Sequence, residues 1–133
     1  MAAPYVTTAK LFRKKLATLN DAPPIFWENV NKRPAANTVH LRPRLIPVES
    51  QLLDVTRRQS NPGIYSIGVY VPIGKGEKEL LTIMDNIYNL FQSVFNLIED
   101  DFLVDLLAIS RSGIRRDENY CMANVDIRFI NYN

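Results

Sequence analysis

The chain is poor in the residues that usually carry chemistry or cross-links: one cysteine, one histidine and five glycines in 133 residues. A lone Cys121 excludes an internal disulfide framework and fits a reducing compartment. No run approaches the ~20 apolar residues that a membrane-spanning helix needs. The opening MAAPYVTTAK lacks the apolar core of a signal peptide. The product is therefore expected to stay in the cytoplasm where it is made, with no membrane partner.

Catalytic and cofactor motifs are missing as well. Gly74-Lys75-Gly76 follows a β-rich run and precedes a helical one, but neither G-x-x-x-x-G-K-[ST] nor G-x-G-x-x-G is present. It reads as a tight strand-to-helix turn that needs positive φ. Glu99, Asp100, Asp101 and Asp105 could pair carboxylates for acid–base work or for a hard cation. No glycine-bearing calcium loop frames them, and they read as a solvated acidic turn or, second, an interface patch. His40 has no accompanying serine or cysteine motif and is expected at a surface or interface. Cys121, on the apolar side of a strand, reads as a small buried hydrophobe. No catalytic residue, metal or cofactor is expected, and the chain is not read as an enzyme.

What is present is the ordinary balance of a folded domain: 47% hydrophobic and 23% charged residues, enough for one core over residues 1–133. The net charge of +2 is unevenly spread. Residues 1–60 hold 10 Lys and Arg against 4 Asp and Glu, giving +6; residues 61–133 hold 6 against 10, giving −4. Two differently solvated faces would produce this. So would head-to-tail association, in which a basic face of one copy meets an acidic face of the next.

Periodicity sets the expected elements. Ala9, Phe12, Leu16 and Leu19 recur at helical spacing opposite Lys10, Arg13, Lys14 and Lys15, with Thr7 or Thr8 as the cap. Asn20 through Pro24 ends that helix. Ile25, Phe26 and Trp27 then pin a polar loop to the core. Residues 38–48 alternate Val39, Leu41 and Leu45 with His40, Arg42 and Arg44, a strand that is apolar on one face and basic on the other. Pro43 and Pro47 give that strand an edge position or a bulge. Residues 49–61 are expected to form a long, mobile connection in which Leu52, Leu53 and Val55 stand beside Arg57 and Arg58, a candidate docking arm. Residues 63–73 form a strand with Tyr65, Ile67, Val69, Val71 and Ile73 on one face. Glu77 to about Asn96 forms a helix with an apolar stripe. Strands at 102–111 and 120–130 follow. The order α-β-β-α-β-β predicts an α+β domain, a mostly antiparallel four-stranded sheet with two main helices packed on one face.

Lys10, Arg13, Lys14, Lys15, Arg42, Arg44, Arg57, Arg58, Arg115 and Arg116 raise a nucleic-acid reading, but no base-reading motif accompanies them. Non-specific contact with phosphates is the form that remains.

Three stretches carry a family resemblance: Trp27-Glu28-Asn29-Val30, Leu41-Arg42 with Pro47, and an arginine turn at Arg57-Arg58 leading into Gly63, Ile64, Tyr65, Val69, Tyr70, Val71, Pro72, Gly74 and Gly76. Together they resemble the tail terminator proteins of long-tailed bacteriophages, over roughly residues 10–130. Ser60-Asn61-Pro62 departs from the basic turn of that pattern. The resemblance implies a structural virion protein, a homo-oligomeric, hexameric ring that caps the tail tube, ends its polymerisation and joins the tail to the head. The implied partners are further copies of the chain, the tail tube protein and the head–tail connector protein, with DNA only as cargo passing through the lumen. It implies a place at the head-proximal end of the virion tail, reached by assembly in the host cytoplasm. On that reading Leu52, Leu53, Val55, Arg57 and Arg58 are inter-subunit or tail-tube contacts, Arg42 and Arg44 face the lumen or an interface, and Trp27, Tyr65 and Phe91 are core. A head-completion or connector adaptor ring, and a non-specific nucleic-acid-binding module, are the competing readings.

Overall fold

A computed structural model of the chain describes residues 4–20, 22–27, 38–48, 51–52, 59–74, 77–94, 96–99, 102–117 and 119–132. Two helices, α1 (Pro4–Leu16) and α2 (Lys78–Gln92), accompany seven strands: β1 (His40–Pro47), β2 (Gln51–Leu52), β3 (Gln59–Pro72), β4 (Asn96–Glu99), β5 (Phe102–Arg111), β6 (Arg115–Asp117) and β7 (Tyr120–Tyr132). The strands form one antiparallel sheet in the order β1-β3-β7-β5-β4, with β2 added to β3 and β6 to β7. Apart from the two-residue β2, six strands make an antiparallel half-barrel.

This overturns the expected α+β domain with a four-stranded sheet and two helices packed on one face: the molecule is mostly sheet. The short strands β2, β4 and β6 account for the difference. Each has two to four residues and lies in a stretch whose local sequence reads as connection or turn. Pairing to a long neighbour makes them strands, which is tertiary context overriding local preference. The second helix accordingly stops at Gln92, four residues before the expected end. The Ser93 amide donates to Asn89 O and the Val94 amide to Phe91 O, both at 3.2 Å, and the Ser93 hydroxyl donates to Leu90 O at 2.9 Å. The apolar rhythm then passes into β4, where Leu97 is buried and Ile98 exposed.

The first helix begins at Pro4, so Thr7 and Thr8 lie inside it and neither caps it. Proline suits a first helical turn, whose amides have no intrahelical acceptor. Thr8 is fully buried and accepts a hydrogen bond from Asn131 Nδ2 of β7 at 2.9 Å. The Tyr5 hydroxyl donates to the carbonyl pair of Val48 and Pro62, 3.0 and 2.9 Å away. These polar contacts fix α1 against the sheet in one register, and Arg13, Lys14 and Lys15 in its last turn complement the helix dipole.

The core forms where alternate residues of β3 (Tyr65, Ile67, Val69, Val71) and β7 (Ala123, Val125, Ile127, Phe129) meet Leu11, Phe12 and Leu16 of α1 and Leu80, Met84, Ile87 and Phe91 of α2. Phe12 is its hub. Its ring stacks on Tyr65 at 4.4 Å and lies tilted against Phe129 at 5.4 Å and Phe91 at 5.8 Å. Tyr65 and Phe91 are thus core, as expected. Trp27 is half-buried against the core beneath the Arg13 guanidinium, 4.9 Å from its ring.

β1 is an edge strand, as its prolines indicate. Its outer side is met at Leu41 by residues 24–26: Leu41 N donates to Pro24 O, and Phe26 N donates to Leu41 O, both at 2.9 Å. The turn after β3 holds Gly74 at φ 97°, the left-handed conformation expected there.

Candidate functional site

The face of the sheet opposite the core carries exposed charged side chains, and strand register decides its membership. Four rows cross it. They are His40–Tyr70–Met122–Arg115, then Arg42–Gly68–Asn124, then Arg44–Ser66–Asp126–Ser110, then Ile46–Ile64–Arg128–Ala108. Arg42, Arg44, Arg115 and Arg128 are all exposed. Asp126 is the one carboxylate in these rows, and it accepts a 2.6 Å hydrogen bond from the Ser66 hydroxyl.

Arg42 is held in place. Its guanidinium lies 4.6 Å over the Tyr70 ring, and its Nε–H donates to His40 Nε2 at 3.0 Å. Gly68 lies beneath Tyr70: a Cβ there would stand 3.0 Å from the ring. A guanidinium fixed by stacking and by Nε keeps its two terminal nitrogens in the fork that suits a carboxylate or phosphate. Among the described residues neither Arg42 nor Arg44 has an ion-pair partner.

His40 is the support beneath Arg42, and the structure corrects its expected surface position. Its side chain is fully buried. The ring stacks on Tyr70 at 4.9 Å and meets Tyr120 at 5.1 Å and Phe26 at 5.5 Å edge-on. Nδ1 lies 2.8 Å from Thr38 O. A carbonyl can only accept and an arginine only donate, so the proton sits on Nδ1 and the imidazole is neutral. Burial lowers the His40 pKa from its ordinary 6.5; the Thr38 hydrogen bond opposes this and the Arg42 charge adds to it. As pH falls below about 6.5, the unfolded chain takes up a proton that the folded chain refuses. Stability therefore falls with pH through that window and levels off below the depressed folded value. Thermal melts between pH 7 and pH 5 are expected to show this loss, and His40→Phe is expected to remove its component. Equal slopes for both proteins would refute the assignment.

The other candidate residues fall elsewhere. Leu52 lies in β2, opposite Gln59 of β3. Leu53, Val55, Arg57 and Arg58 lie outside the described residues, so the docking arm they define is located only by the strands that bracket it. Asp105 sits on β5 opposite Asn96 of β4. Cys121 is half-buried against the core. Among the described residues no three of His, Cys, Asp and Glu gather as metal ligands, and no helix is long and apolar enough to cross a membrane. A shallow apolar groove runs between α2 and β5, lined by Tyr88, Phe91, Val94, Leu106 and Leu107. Arg111 is bonded to Asp85 at 2.6 Å and stacked at 4.4 Å over Tyr88, one of the lining residues.

Two features of this surface are not apparent in the sequence read locally. One is the company of Arg128 and Arg115 with Arg42, which depends on how the strands pair, as in Arg42↔Gly68↔Asn124 and Arg115↔Met122. The other is the apolar exposure of Ile98, Leu103 and Leu107 around β4 and β5. Alternation within Asn96–Glu99 was the available signal for Ile98, hidden by its position at the end of a helical stripe.

The arrangement defines a class: a mostly-sheet antiparallel half-barrel whose described charged groups are spread over a broad face and edges. The family model for phage tail terminator proteins matches residues 7–129. The chain belongs to that family, whose members are structural proteins of the virion. One solved structure superposes with a TM-score of 0.70 at 19% identity, covering 92% of this chain and 94% of that one, a likeness of fold. No curated protein matches in sequence. The chain is therefore a structural component of a phage tail, working with other phage proteins in tail assembly.

Proposed function

We propose that this chain closes into a homo-oligomeric, hexameric ring that caps the tail tube, halts its polymerisation and presents the surface that meets the head–tail connector. The ring sits at the head-proximal end of the tail and is assembled in the host cytoplasm. DNA passes through its lumen as cargo. The observation that carries the reading is the family match over residues 7–129. The separation of basic from acidic halves, +6 against −4, supports head-to-tail closure, since heterologous contacts that close generate rings. The half-barrel offers two different edges, β1 and β4, as such contacts require.

The docking arm between β2 and β3 supplies the test. Arg57→Glu with Arg58→Glu is expected to leave a folded protein that no longer joins tails to heads. Unchanged tail capping by that double variant would remove the arm from the mechanism. Co-sedimentation with purified tails rather than purified heads separates tube capping from a connector adaptor. The four exposed arginines of the sheet face favour one alternative, non-specific duplex binding. That reading requires affinity of the isolated protein for duplex DNA that falls steeply with salt.

A further inference from the structure

The outer face of the sheet changes character from one edge to the other. At the β1 edge it presents Arg42, Arg44 and half-buried Ile46, continued by Val48, which is 47% exposed. At the opposite edge β4 and β5 present Ile98 paired across the strands with Leu103, and Asp105 beside them opposite Asn96. Ile98 is 65% exposed, a large apolar group to leave in water on an edge strand. In sequence β4 ends on Glu99, and the chain passes through Asp100 and Asp101 into β5. One edge is thus basic with an apolar margin, the other acidic with an apolar margin.

We infer that these two edges are the mutual contact between neighbouring copies: Arg42 and Arg44 of one copy meet the Asp105 edge of the next, and Ile46 and Val48 cover Ile98 and Leu103. The inference rests on the ring reading and names the surfaces that close it. Opposite charge selects the second copy as occupant. The free ends of Arg42 and Arg44 lack carboxylate partners among the described residues, and Asp105 lacks a cation among them. A contact joining unlike edges is heterologous, so every copy offers both halves and the arrangement propagates around an axis.

The junction is made by side chains and not by extending the sheet. Leu41 turns its backbone polar groups outward, toward Pro24 and Phe26. By alternation residues 43, 45 and 47 turn theirs outward too. Pro43 and Pro47 have no amide to donate. Leu45 is left as the one outward donor over that half of the strand, too few for a ladder with another strand. Arg42, already fixed over Tyr70, loses little freedom on pairing, as befits an anchor at the centre of a contact.

Paired charge reversals test this. Arg44→Glu and Asp105→Arg are each expected to abolish assembly, followed by light scattering of the purified protein alone and with purified tail tubes. Mixing the two variants in equal amounts should restore assembly, because in an alternating ring with an even number of copies every junction again joins opposite charges. Arg44 is exposed, and among the described residues its side chain has no ion-pair partner. Should Asp105→Arg fail to fold, Asn96→Arg, opposite Asp105 on β4, replaces it. Single variants that assemble like the wild type, or a mixture of folded variants that does not recover, would overturn the inference while leaving the ring reading intact. Variants that still form rings but lose the tube would assign the edges to the tube protein and equally overturn it. A wild-type protein that forms no oligomer with or without tubes would defeat the ring reading itself.

Discussion

Phe12→Ala is expected to destabilise the protein by about 3–5 kcal/mol, the range for removing a fully buried aromatic ring. Phe12 is completely buried and touches Tyr65, Phe91 and Phe129, so one ring joins both helices to the two longest strands. Side-chain hydrogen bonds from Asn131 to Thr8 and from Tyr5 to Val48 O hold α1 in place, which limits collapse into the cavity and places the effect toward the upper end. Urea unfolding should show a lower midpoint with an unchanged slope, the mark of altered stability without altered compactness. Asn89→Ala, on the exposed side of α2, is the control and should stay within about 0.5 kcal/mol. A loss below about 1 kcal/mol for Phe12→Ala would show that the hub is not where the packing energy concentrates.

The second large effect comes from adding atoms. Gly63 lies inside β3, paired with Phe129 on one side and Pro47 on the other. A Cβ on Gly63 would fall 2.5 Å from Phe129 Cζ and 2.9 Å from the Ile46 carbonyl oxygen. The ring could rotate, but the backbone carbonyl belongs to the β1–β3 ladder and cannot move without breaking it. Gly63→Ala is therefore expected to destabilise by about 1–3 kcal/mol, and Gly63→Val by more, despite the usual gain from replacing a strand glycine. Because the displaced group is Phe129, the damage should reach the Phe12 cluster. Phe129→Leu should relieve part of it, and a double-mutant cycle would measure the coupling. Strict additivity would separate the glycine from the aromatic core.

How much of this was legible beforehand depended on whether the signal was local. Tyr65 to Val71 alternates cleanly, and the strand appears there, four residues longer at its start because Gln59–Pro62 finds partners in β2 and β7. The stripe from Leu80 to Phe91 is helical, and the helix appears there. β5 occupies 102–111 as read, although a register shift between Leu106 and Ala108 spoils its alternation and explains why Leu107 is exposed. Local alternation sets His40 at the surface because its neighbours Arg42 and Arg44 face water. Its burial comes from Phe26, Tyr70 and Tyr120, which approach from three other segments. The same limit applies to the basic face. Arg42 and Arg44 could be set on one side of a strand by counting in twos, whereas their meeting with Arg128 required knowing which strands are neighbours.

β7 is the last described strand in the sequence, yet it sits in the middle of the sheet, between β3 and β5. During synthesis the half-barrel cannot close until residues 120–132 have left the ribosome, and until then β3 and β5 have no shared partner. Nascent chains must therefore wait with unpaired strand edges, folding comparatively late through distant contacts. A nonsense codon anywhere before Tyr120 would yield a polypeptide with no stable substructure to salvage, so premature termination in this gene should read as complete loss.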